Sequence, residues 1–225
     1  MMIPQGALEI DVVGERLWLL GERAVFRPVA NTLLVADLHL GKPAAFRASG
    51  LPVPEHITQA DLARLTLAVR STAASKLVIL GDLIHARSGQ TPQTIEAFAD
   101  WRNCHADLDV LLVLGNHDRN CKVIPPNWGL TVAEDRLVEG PFVYCHWPDE
   151  CAEGYVLGGH IHPVAVMAGR GRQRVRLRCF AVGERRMILP AFGNFTGGAS
   201  GGAAAGDRVF LVADDCVVEA TPSSR

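Results

Sequence analysis

Thr32-Leu33-Leu34-Val35-Ala36-Asp37-Leu38-His39-Leu40-Gly41-Lys42 is the stretch from which the rest of the chain is read. Thr32–Ala36 is a short apolar run of the kind that forms a buried strand. It gives way at once to a carboxylate and an imidazole, two metal-competent side chains. The same succession recurs four times. Leu77–Leu80 leads into Gly81-Asp82, Val110–Leu114 into Gly115-Asn116-His117-Asp118, Phe142–Cys145 into His146, and Tyr155–Leu157 into Gly159-His160-Ile161-His162. Polar residues that follow apolar strands lie where α/β folds place their sites.

Between and beyond these runs the pattern changes. Glu55–Ala74 keeps helical spacing through Leu62, Leu65, Val69 and Ala73, with Pro52 and Pro54 ahead of it. Thr91–Asn103 reads as a second helix, with Thr91 as cap, Pro92 in the first turn, and Ile95, Phe98 and Ala99 on one face. Val175–Phe180, Met187–Leu189 and Val209–Val212 read as further strands. A first half that alternates strand and helix, and a second half that is mostly strand, predict one mixed α/β sandwich domain over residues 1–225. Gly41–Pro54 reads as a long loop beside the site, and Gly193–Gly206, rich in Gly, Ala and Ser, as a mobile loop.

With 48% hydrophobic and 20% charged residues, the chain has the composition of a core-forming protein and not of a disordered one. A net charge of −2 and a pI near 6.4 give no general polyanion-binding character, although a local basic patch is compatible with them. The six cysteines match neither a zinc ribbon nor a disulfide framework, which predicts reduced, mostly buried thiols. The N-terminus has no signal-peptide pattern, and no apolar run approaches the ~18 residues of a membrane span. A soluble, cytoplasmic chain is the expectation.

The residue types fit one chemistry. Side chains two apart in an extended segment point the same way, so Asp37 with His39, and His160 with His162, each present two ligands. Two cations about 3.5–4 Å apart need a bridging anion, and Asp82, next to a glycine that lets the backbone crowd in, is the candidate bridge. Neutral imidazoles and the Asn116 amide complete the shells without piling up negative charge. Such nitrogen and oxygen donors suit Mn²⁺, Fe, Zn²⁺ or Co²⁺ better than Ca²⁺. A metal-free scaffold would not need seven metal-competent residues so arranged.

The series D-x-H, G-D, G-N-H-D, H, G-H-x-H over residues 37 to 162 resembles the calcineurin-like metallophosphoesterase superfamily. The resemblance implies a four-layer α/β/β/α sandwich, two mixed sheets face to face with helices outside. It implies Asp37, His39, Asp82 and His162 on one metal, and Asp82, Asn116, His146 and His160 on the other. His117 would be the general acid, steadied by Asp118. The protein-phosphatase pattern G-D-x-x-D-R-G is broken here, since Leu83, Ile84, His85, Ala86 and Arg87 follow Asp82.

D-L-H-L-G-K at Asp37–Lys42, Phe46-Arg47, Gly50-Leu51-Pro52-Val53-Pro54, Gly159–Pro163, and Leu189–Gly193 followed by Phe195–Gly198 resemble a narrower bacterial group. Those phosphoesterases occur with a DNA ligase and a helicase in DNA-damage-response clusters. The resemblance implies a Mn²⁺-dependent phosphodiesterase and DNA endonuclease; the competing reading is a phosphodiesterase or phosphatase for small or cyclic nucleotides. Lys42, Arg47, His85 and Arg87 lie near the predicted metal loops and are candidates for holding substrate phosphates. Arg170, Arg172, Arg174, Arg176 and Arg178 alternate along the chain. They read either as a guanidinium-lined DNA groove or as a solvated hairpin protected from edge pairing.

Overall fold

The computed structural model describes residues 2–54, 56–121, 123–168 and 173–220. Arg170 and Arg172 of the alternating arginine row, and Glu55 at the expected start of the first long helix, lie outside the described residues. Seven strands form the first sheet in sequence order: β1 (Leu8–Val12), β2 (Glu15–Leu20), β3 (Ala24–Arg27), β4 (Thr32–Val35), β5 (Lys76–Leu80), β6 (Asp109–Val113) and β7 (Thr131–Ala133). The pairs from β1 to β4 are antiparallel, and those from β4 to β7 are parallel. Among the described residues the parallel half carries the α-helices, α1 (Lys42–Ala48), α2 (Ile57–Thr72), α3 (Pro92–Cys104) and α4 (Asn116–Cys121).

The second sheet holds β8 (Arg136–Glu139), β9 (Phe142–Cys145), β10 (Tyr155–Gly158), β11 (Pro163–Ala168), β12 (Arg174–Val182), β13 (Arg186–Ile188), β14 (Ala199–Ser200), β15 (Arg208–Ala213) and β16 (Cys216–Glu219). It too is mixed, with β9 and β13 both parallel to β10 and the remaining long pairs antiparallel.

Strand side chains alternate between two cores. Leu33, Val35, Leu77, Ile79, Val110 and Leu112 pack under Leu62, Leu65 and Val69 of α2 and Phe98 and Trp101 of α3. Leu34, Val78, Leu80, Leu111 and Val113 face the second sheet and meet Phe142, Tyr144, Leu157, Phe180, Met187 and Phe210. Strands buried on both faces read as unbroken apolar runs, which is why β4, β5 and β6 are plain in the sequence. The two mixed sheets packed face to face are as expected. The outermost layer is not symmetrical, because among the described residues no helix follows Trp128. Pro148 and Gly154, on the segment between β9 and β10, lie against Gly158 and Val143 on the outer face of those strands.

Two expected loops are built differently. The first half of Gly41–Pro54 is helix α1, started by Gly41 at φ 75° with Pro43 in its first turn. The start of Gly193–Gly206 is fastened. Phe192 N–H donates to Ala36 O at 2.8 Å and Gly193 N–H to Asp37 O at 3.1 Å, while Arg178 donates to the carbonyls of Gly193, Asn194 and Thr196. Buried donors and acceptors on neighbouring elements satisfy this backbone, so its small residues do not make it free.

Candidate metal centre

The five polar loops follow β4, β5, β6, β9 and β10. The first three strands are parallel neighbours in one sheet, and the last two are parallel neighbours in the other. Their C-terminal ends therefore deliver all seven candidate ligands to one pole of the sandwich. Loops 37–40 and 81–84 run side by side, with Asp37 N–H donating to Gly81 O, His39 N–H to Asp82 O and Leu40 N–H to Leu83 O. Across the sheets, His160 N–H donates to Asp37 Oδ2 at 2.9 Å.

The backbone that presents these ligands is not extended. Asp37 (φ 57°), His39 (49°), Asp82 (51°), His160 (65°) and His162 (52°) all sit in the left-handed region, where non-glycine residues are rare and strained. Alternation along a strand was the wrong reason for pairing Asp37 with His39 and His160 with His162. Each ligand is turned inward by its own left-handed kink, while Leu38 between the first two stays buried in the core. The close approach also demands glycine. A Cβ on Gly81 would strike the His146 ring, and one on Gly115 would strike the Asp82 carboxylate.

Three groups result, in each of which the ligand atoms lie within 4.8 Å of one another: His39 with His85 and His117, Asp37 with His39 and His162, and Asp82 with His146 and His160. The last two are the candidate metal clusters. Asp82 Oδ2 stands between them, 3.8 Å from His39 Nε2 and 3.5 Å from His146 Nε2. Asn116 Oδ1 is 3.0 Å from His146 Nε2, and His160 Nδ1 is 3.1 Å from that same nitrogen. Asp37 Oδ1, His39 Nε2 and His162 Nε2 are buried with no hydrogen-bond partner. Orphaned polar atoms of this kind are costly, and three of them converging from three directions fit a cation that the loops are shaped to hold.

Protonation agrees with that fit. His146 Nδ1–H donates to Leu80 O at 3.0 Å, which fixes the tautomer and leaves Nε2 as a lone pair facing the cluster. Burial drives the His39 pKa far below its ordinary value, with Lys42 and the neighbouring imidazoles adding to the effect, so the ring is neutral as a ligand must be. Burial raises the Asp82 carboxyl above the usual range, opposed by His146. An unmet cost of charge at this position is what a bound cation would relieve.

A calcineurin-like phosphoesterase family model matches residues 30–175, the span that contains every one of these loops. The chain belongs to the calcineurin-like phosphoesterases. The crystal structure of Pseudomonas putida nuclease MPE is similar, with a TM-score of 0.82 and 39% sequence identity over 94% of this chain and 100% of that one. A comparison with curated protein sequences returned no match. The calcineurin-like phosphoesterases bind divalent metals, and this member is a metal-dependent phosphoesterase.

Around the clusters of this phosphoesterase the remaining candidates divide. The His117 ring lies beside the Asp82 carboxylate, with Nε2 3.9 Å from Asp82 Oδ2, and its Nδ1–H donates to His85 O. Asp118 does not touch that ring. Its carboxylate accepts from the backbone N–H groups of Leu83, Ile84 and Gly115 and so ties the β5 and β6 loops together; burial raises its pKa to about 6. His85 stacks on His117 at 4.9 Å and lies edge-on to His39 at 5.2 Å; burial, Lys42 and His117 lower its pKa to about 4.

Lys42 opens α1, half-buried, where Asp37 and Asp82 partly offset the lowering of its pKa by burial. Arg47 points elsewhere and donates to the carbonyls of Val53 and Pro54, and Arg87 is exposed on a 3-10 turn. Of the arginine row, Arg176 and Arg178 are engaged with carbonyls of the 193–198 segment and not with a groove. Arg23, Arg64 and Asp61 complete that support, through Phe192 O, Asn194 Oδ1 and Asn194 N–H. Nothing in the local sequence marked these three, because their partners lie more than 120 residues away.

Proposed function

We propose that the chain is a dinuclear phosphodiesterase that cleaves DNA, with Asp37, His39, Asp82 and His162 on one cation and Asp82, Asn116, His146 and His160 on the other. The observation that carries the reading is Asp82 between two clusters, in one of which Asp37 Oδ1, His39 Nε2 and His162 Nε2 are buried without a hydrogen-bond partner. Bound there, the cations supply an activated water and neutralise phosphoryl charge. Mn²⁺ suits the mixed imidazole, amide and carboxylate set; Fe, Zn²⁺ and Co²⁺ share the preference.

His117 serves as general acid. A carbonyl can only accept, so the His85 O contact holds the proton on Nδ1 and leaves Nε2 to carry the transferable one towards the leaving oxygen. Asp118 holds the loops that aim the His117 backbone, whose N–H donates to Asp82 Oδ1 at 2.9 Å. Lys42, half-buried at the start of α1 and feeling the charges of Asp37 and Asp82, is the candidate for holding a substrate phosphate.

DNA as substrate is supported by the likeness to a nuclease over nearly the whole chain. Work beside a ligase and a helicase in the damage response is supported by the loop motifs at Asp37–Pro54 and Leu189–Gly198. Mn²⁺-loaded protein is to be assayed on DNA, bis-p-nitrophenyl phosphate and p-nitrophenyl phosphate. DNA and the diester are expected to be cleaved and the monoester to lag. Turnover of the diester with DNA left intact overturns the DNA reading and favours a small nucleotide diester.

A further inference from the structure

Four tryptophans divide sharply. Trp18, Trp101 and Trp128 are buried, and their indole N–H groups donate to Glu9, Thr66 and Ile95. Trp147 leaves 50% of its surface in solvent, although it directly follows His146. Its ring lies 3.6 Å from that of His160, inclined by 39°, and 5.8 Å from His146, edge-on. It is thus an exposed aromatic wall at the rim of the Asp82–His146–His160 cluster.

The same residue lines a cavity of about 310 Å³ together with Leu114, Val143, Arg119, Arg136 and Asp149. The cavity neighbours the metal loops along the chain. Arg119 is two residues beyond His117 in α4, and Cys145 and Trp147, which flank His146, both line it. Its volume stands at the lower end of the ~300–1,000 Å³ range of small-molecule sites, enough for one heterocycle beside the metal centre. Leu114 and Val143 offer apolar surface, and the guanidinium and carboxylate groups offer donors and acceptors for a polar ring edge.

We propose that Trp147 is a nucleobase-stacking platform, holding in this cavity the base next to the scissile phosphate. A flat, amphipathic indole with a free surface is what an unstacked base pairs with, and every base has a π-face to offer. The subsite therefore recognises a nucleotide as such and not a particular sequence. This rests on the diester-hydrolysis reading above, and it names a specificity residue outside the ligand set.

The test uses Mn²⁺-loaded enzyme and two diesters with the same leaving group: thymidine 5′-(p-nitrophenyl phosphate) and its base-free analogue, with hydrogen at C1′. In the wild type, kcat/KM favours the thymidine ester. Trp147→Ala lowers that preference roughly 10-fold, mainly through KM, and Trp147→Phe keeps most of it. Thymidine quenches the fluorescence of the exposed indole in the wild type, and that component is missing in Trp147→Phe.

Equal losses on both esters mean that the ring only orients His160, and they overturn the subsite while leaving the diesterase reading intact. Absence of the quenching difference overturns it equally. A wild type that hydrolyses neither ester overturns the diesterase reading, and the subsite with it.

Discussion

Metal chemistry admits few residue types, so the seven candidate ligands stand out residue by residue in D-x-H, G-D, N-H, H and H-x-H. Their geometry does not. Five of the seven sit at positive φ, at a cost of roughly 1–2 kcal/mol each, and the enrichment of Asp and His in that region does not say which of them adopt it. The fold holds them there because the clusters need it, and two substitutions separate the roles. Asp82→Asn removes the charge of the carboxylate proposed to bridge the two clusters, so bound metal and turnover are expected to vanish together when Mn²⁺ content and diester hydrolysis are measured on the same preparation. His117→Ala should keep its metal and lose turnover by roughly 10²–10⁴-fold, less for p-nitrophenyl esters, whose leaving group needs no proton. Loss of metal in His117→Ala would show that this ring is a ligand.

Elements were legible where local rules decide them. Thr91 does cap α3, its side chain accepting from Thr94 N–H, with Pro92 in the first turn. Thr91→Ala is expected to lower stability by about 1 kcal/mol in urea titrations; a change under a few tenths would mean that packing of Phe98 and Trp101 alone sets the helix start. The strands β1 to β3 escaped notice because their cue is a turn. Val13 and Gly14 both take positive φ between Val12 and Glu15, as a two-residue hairpin of twisted strands requires. Helix α1 hid in a stretch whose Gly41 and Pro43 read as loop residues until Gly41 is seen as a left-handed helix start. The 193–206 segment reads as mobile by composition, and its first residues are fastened by partners elsewhere in the chain, among them Asp37, Asp61, Arg64 and Arg178.

At the scale of the whole molecule, the strand pattern conveyed two sheets with a shared apolar core but not the polar clamp that closes that core away from the metal loops. Arg27, at the end of β3 and 5% exposed, donates from Nε to Glu15 at 2.7 Å, and from Nη1 to Glu139 at 3.1 Å and the Tyr144 hydroxyl at 3.2 Å; its guanidinium also lies 5.1 Å from the Phe142 ring centre. Glu139 in turn accepts from Lys76 at the first residue of β5, so this clamp and Asp82 flank opposite ends of the same strand. Arg27→Ala strands acids that keep 23% and 29% exposure and can partly rehydrate, so the loss should fall below the ~3–5 kcal/mol of a fully buried pair, at about 2 kcal/mol. Glu15→Gln and Glu139→Gln added to Arg27→Met should recover part of it, because neither carboxylate is then left without its guanidinium, and Lys76, which loses the charge of its Glu139 partner, keeps 23% exposure. The expected signature is a lower urea midpoint with metal content and kcat preserved. If kcat fell in step with stability, the two poles of the sandwich would be mechanically coupled, and the rigid β5 strand would be the element transmitting the change.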